Sequence, residues 1–82
     1  MNPKYIVTQH HLMGEHMIIF HAGNSHNTMV PENIKAISAG EIKIDAYGKV
    51  DCYMQSTSLK IKRNEEREKK DDFLARSTLG RL

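Results

Sequence analysis

The chain has 82 residues, enough for one domain, with 39% apolar content, few aromatics and no Trp. Twelve basic residues against ten acidic ones leave a net charge of +2, which excludes the strongly basic footprint of a protein wrapped in nucleic acid. A single Cys excludes an intramolecular disulfide.

Residues 1–4 read as a frayed start. Tyr5 to Gln9 is rich in β-branched and aromatic side chains and predicts a strand. His10 to Gly14 reads as a connection, with Gly14 as punctuation. Glu15 to Ala22 predicts a second strand, paired with the first as a hairpin. Its centre, Met17 to Phe20, is apolar on both faces, which suits an interior strand covered on both sides.

Gly23-Asn24-Ser25 is a turn by composition. Two readings follow for 26–37. A tight turn at Gly23-Asn24 would set His21 opposite His26 and continue a strand through Thr28, Met29 and Val30. Alternatively, a loop leads to a short helix over 31–36, with Pro31 in its first turn and Glu32 at the positive end of its dipole. The helix is preferred, because Pro31 would remove a ladder donor from a strand. Ile34 and Ile37 would then dock on the sheet.

The centre of the chain alternates strictly. Ile42 and Ile44 share one face of a strand over 41–45, and Val50, Cys52 and Met54 share one face of a strand over 49–55. Glu41, Lys43, Lys49, Asp51 and Tyr53 take the wet face. Ala46-Tyr47-Gly48 makes the hairpin loop, and Gly40 allows a kink or a close backbone approach. Leu59 and Ile61 extend the alternation into a third run over 56–62.

From Lys62 to Asp72 almost every residue is charged. Asn64 is a good N-cap, Glu65 and Glu66 occupy the first turn, and Glu65/Lys69 and Glu66/Lys70 are favourable i,i+4 pairs. These predict a helix near 65–79. Its first half would face solvent or run along an edge, and Phe73, Leu74 and Leu79 would anchor its second half. Gly80 is its stop, and 80–82 would fray. The expected fold is α+β: one antiparallel sheet of four or five strands, a short helix and a C-terminal helix. That helix would pack on the face of Ile42, Ile44, Val50, Cys52, Met54, Leu59 and Ile61.

The order Ser38-Ala39-Gly40, Cys52-Tyr53, Ser56-Thr57-Ser58-Leu59 and a charged helix opening resembles a scattered group of short phage, prophage and other mobile-element proteins. The resemblance spans roughly residues 5–79. Met54-Gln55 stands where that group carries a Gly, and the helix start lacks its Pro. It implies a setting of accessory mobile-element genes and assigns no functional residue.

Chemistry is sparse in the sequence. His16, His21 and His26 are five apart, which suits no helical face. Only a cross-strand His21/His26 pair, with Glu15 or Asp51, comes near a metal site, and packing or surface roles suit these residues better. Cys52 falls on an apolar face as a packing thiol. Ser56, Ser58 and Cys52 are not linked to a His by an elbow motif, and no phosphate-cradling Gly loop is present. No cofactor and no catalysis are expected. The reading that fits is a non-catalytic protein–protein adaptor or inhibitor. Homodimerisation is expected because a chain this size buries only about 60–65% of its unfolded surface. The alternative is a nucleic-acid binder using Lys60, Lys62, Arg63, Arg67, Lys69 and Lys70, with Tyr53 and Tyr47 to stack bases. With no secretory segment and no apolar run of the ~20 residues that span a bilayer, a reducing cytoplasm is the expected compartment.

Overall fold

The computed structural model describes residues 2–10, 12, 14–32 and 34–80. His11 and Met13 of the first connection, and Asn33 of the expected short helix, lie outside the described residues. Four antiparallel strands form one sheet: β1 (Lys4–His10), β2 (Gly14–Phe20), β3 (Ala36–Ile44) and β4 (Val50–Met54). Their order is β2-β1-β3-β4. Helix α1 (His26–Met29) follows β2, and helix α2 (Glu65–Leu79) closes the chain. The fold is α+β, and no described helix is long and apolar enough to cross a membrane.

The strand alternation sorts side chains onto two faces, and both are covered. On one face Tyr5, Val7, Met17, Ile42, Val50 and Cys52 pack with Ala75, with Leu74 and Leu79 beside them. On the other, Ile6, Phe20 and Ala39 are covered by Met29, Val30, Leu59 and Ile61. The interior strands are β1 and β3, and β2 is an edge. The double-sided apolar run at Met17–Phe20 marks coverage of both faces, not a central place in the sheet.

Three expected elements move. Strand β3 begins at Ala36, five residues before the alternation of 41–45 announces it. Gly40 sits within β3 at a close backbone approach, since a Cβ there would collide with the Tyr53 carbonyl of β4. The short helix lies at 26–29 and not at 31–36. The residue before a proline is driven out of the helical region, so Val30 takes φ −73° and ψ 123° and Pro31 ends the helix. Pro31 keeps a single turn, with the Ile34 amide donating to its carbonyl at 3.2 Å.

The third run is a tight loop, not a strand. Ser56 and Ile61 form an isolated bridge, and the Ser56 hydroxyl accepts from the Leu59 amide at 3.3 Å. Lys60 carries the turn at φ 57°. Leu59 and Ile61 therefore cover the face opposite α2. Ile44 is half exposed, and Phe73 is 68% exposed and does not anchor the helix. At the start of the chain, Pro3 and Lys4 are tied into the sheet: the Pro3 carbonyl accepts from Ile42, and Lys4 opens β1.

Candidate functional site

Helix α2 meets the sheet through carboxylates. Asn64 caps it, accepting from the Arg67 amide at 3.0 Å. From there Glu68, Asp71 and Ala75, spaced three and four apart, turn inward and are buried. Asp71 accepts from the Tyr5 hydroxyl at 2.7 Å, from Ser38, and from Arg67 Nε at 2.8 Å. Arg67 closes the network with a bidentate pair to Glu15, both contacts at 2.7 Å. The Arg67 hydrogen bonds hold the Glu15 carboxyl below its ordinary value, and burial together with Asp71 pushes the Tyr5 hydroxyl far up. Burial, then the Asp72 and Asp71 carboxylates, push the Cys52 thiol up, which leaves it a poor nucleophile at neutral pH.

The same helix seals one sheet edge. The Asp45 amide donates to the Lys49 carbonyl at 3.0 Å. Antiparallel alternation then makes Lys43/Asp51 and Glu41/Tyr53 the bonded pairs, and turns the polar groups of Val50, Cys52 and Met54 outward. Asp72 accepts from the Cys52 amide at 2.6 Å and Glu68 from the Met54 amide at 2.8 Å. Arg76 reaches the Val50 carbonyl at 3.5 Å. Side chains at 68, 72 and 76, one turn apart, thus stand in for a neighbouring strand.

At the opposite edge nothing comparable happens. The Ile42 amide donates to Pro3 at 2.9 Å, so Tyr5 and Val7 bond to β3, while Lys4, Ile6 and Thr8 bond to Phe20, Ile18 and His16. The backbone groups of Met17 and Ile19 therefore point away from the sheet. No bond to them is formed among the described residues. Beside this edge lies a shallow, largely apolar groove of about 390 Å³, lined by Glu15, Lys69, Lys70, Phe73 and Leu74.

A second cleft, also about 390 Å³, opens on the other face. Lys4, Glu41 and Tyr53 form a cross-strand row along its floor, since Lys4 is in register with Glu41 and Glu41 with Tyr53. Ser25, His26, Ser56 and Ser58 also line it. His26 is buried, with Phe20 edge-on to its ring at 5.7 Å. A carbonyl can only accept, so His26 Nε2 donates to Gly40 at 2.9 Å. In the neutral ring Nδ1 is then the acceptor for the Ser56 hydroxyl at 2.8 Å. Ser56 is itself 3% exposed and accepts from Leu59, so its hydroxyl is committed at both ends.

The basic residues singled out in the sequence separate. Arg67 is largely buried in ion pairs with Glu15 and Asp71. Arg63 pairs with Glu68 at 3.0 Å and lies 4.6 Å from the Tyr53 ring centroid, with Lys43 at 5.3 Å. Lys60 and Lys62 are exposed near the 56–61 loop, and Lys69 and Lys70 line the groove beside β2. His21 is exposed, its Nδ1 accepting from the Gly23 amide, while both nitrogens of His26 are engaged inside the protein. The pair therefore does not converge on an ion, and among the described residues no group of three or more His, Cys, Asp or Glu could hold one. Sequence reasoning missed Asp71, Glu68 and the Ser56–His26 contact. The regular 68/71/75 spacing could have revealed the first two, but nothing local links positions 26 and 56.

No family model, no curated protein and no solved structure matches this chain.

Proposed function

We propose that this protein is a non-catalytic protein-binding module that takes an extended segment of a partner chain as a fifth strand along β2. The observation that carries this reading is the contrast between edges. Natural sheets protect their edges with Lys, Pro, bulges or covering elements. Here α2 covers β4, whereas β2 has none of these devices among the described residues and turns the Met17 and Ile19 backbone outward. An added strand gains main-chain hydrogen bonds there, and its alternate side chains reach the Phe73/Leu74 groove.

The occupant is an apolar segment carrying acidic residues, because Lys69 and Lys70 border the groove. A second copy of β2 would bring only Glu15, already committed to Arg67. The nucleic-acid reading loses weight, since Arg67 and Arg63 spend their charge internally and Tyr53 already carries Arg63 and Lys43 near its ring.

Selection from a displayed library of random peptides tests this. Selected sequences should alternate apolar and acidic residues. Their binding should be abolished by Ile19→Pro, which removes an N–H that no internal ladder uses, and weakened by Lys69→Glu with Lys70→Glu. Peptides indifferent to Ile19→Pro would refute the strand-addition site. A concentration-dependent doubling of mass by light scattering, abolished by the same proline, would reassign the edge to a second copy of the chain.

A further inference from the structure

We infer that the cleft over Lys4, Glu41 and Tyr53 is a small-molecule site for a vicinal diol, the chemistry shared by free sugars and the ribose of a nucleoside. Its volume, about 390 Å³, falls within the range of small-ligand pockets. It is also pre-formed. His26 and Ser56 are buried and bonded to each other, to the Gly40 carbonyl and to the Leu59 amide. The Ser25 hydroxyl is held by Asn27 and Thr28, and Ser58 accepts from the Asn27 amide at 3.3 Å. The 56–61 bridge holds the loop that carries Ser56, Thr57 and Ser58.

The lining then selects the ligand. Lys4 and Glu41 are register partners of opposite charge, so the floor is electrically balanced. They form no ion pair within 4.0 Å, because Lys4 Nζ turns instead to the Asn24 carbonyl at 2.9 Å. Glu41 is left half-buried without a cationic partner among the described residues. A carboxylate in this setting only accepts, and two adjacent hydroxyls satisfy both its oxygens. Around it the Ser58 and Thr57 hydroxyls can donate and accept, while Ser25, whose proton goes to Asn27, can only accept. Such a site suits a neutral, hydroxyl-rich molecule. An anion such as phosphate would be opposed by Glu41. The site lies on the face opposite the α2 groove and does not depend on the strand-addition reading.

The test is a titration of the intact protein, followed by amide chemical shifts, with adenosine, 2′-deoxyadenosine, a methyl glycoside bearing a vicinal diol, and inorganic phosphate. Saturable shifts at Glu41, Ser56 and Ser58 with adenosine but not with 2′-deoxyadenosine support the site and identify the source as a nucleoside. The same shifts with the glycoside support it and identify a sugar. Glu41→Gln should weaken either response about tenfold while leaving shifts elsewhere unchanged, as expected for loss of a charge-assisted hydrogen bond. Ser58→Ala, which removes one lining hydroxyl, should weaken it less. No saturable response to either diol, a stronger response to phosphate, or a Glu41→Gln variant that binds as well as the parent would overturn the assignment.

Discussion

The two edges of this sheet are built from the same antiparallel ladder and finished in opposite ways. At β4 the outward amides of Cys52 and Met54 end on Asp72 and Glu68, supplied at helical spacing by α2. At β2 the outward groups of Met17 and Ile19 end on nothing described, and the groove beside them carries an exposed Phe73. A helix rich in carboxylates is thus not a solvated rod. Its Glu68 and Asp72 carboxylates are spent on a strand edge, and the opposite edge has no such partners among the described residues.

The largest effect should come from the joint between helix and sheet. Asp71→Ala strips a buried acceptor from Tyr5, Ser38 and Arg67. Breaking one side of such a pair costs about 3–5 kcal/mol. A domain this small holds only about 5–15 kcal/mol in all, so denaturant melts should show a large loss or no cooperative transition.

Next in size is Glu68→Ala, which uncaps the Met54 amide and releases Arg63. A buried donor left unsatisfied costs about 1–3 kcal/mol. The variant should also convert β4 into a second open edge, so concentration-dependent association by sedimentation should appear where the parent shows none through that edge.

The pH dependence comes from the same joint. Glu15 titrates below its ordinary value of 4.5 in the folded protein, so its pair with Arg67 stabilises above that pH. The contribution is lost as pH falls through the lower, folded value. Tyr5 is shifted the other way, so its contribution is complete below 10.0 and fades as pH rises beyond it. Thermal melts across pH should decline at both ends, and Glu15→Gln should flatten the acid limb alone. The smallest effect is expected at Lys60, where φ is 57°. Lys60→Gly should raise stability by up to about 1 kcal/mol, because glycine relieves the left-handed penalty at some entropic cost.

What was legible in the sequence was whatever a short period can encode. The alternation at Ile42/Ile44 and Val50/Cys52/Met54 yielded the β3–β4 hairpin, and Asn64 with its following glutamates yielded α2. Elements set by long-range contact were not legible. The 26–29 helix depends on burying His26 against Phe20 and Ser56, thirty positions from the latter. Leu59 and Ile61 kept a strand-like alternation, yet Ser56 folds them into a loop by bonding Leu59 and His26. The charged run of α2 looked solvent-facing because side-chain type, not partner, is what a sequence displays. Asp71 is fully buried only because Tyr5, Ser38 and Arg67 are waiting for it. For the same reason the cleft floor looks like a wet face in the sequence, where Glu41 and Tyr53 alternate outward and nothing local joins them to Lys4.

Native-state amide hydrogen exchange at low protein concentration tests the edge asymmetry most directly. The Cys52 and Met54 amides should be protected like interior ladder amides, although they lie on an edge, while those of Met17 and Ile19 should exchange by small local fluctuations. Equal protection of both pairs, or faster exchange at Cys52 and Met54, would contradict a sheet sealed on one side and open on the other.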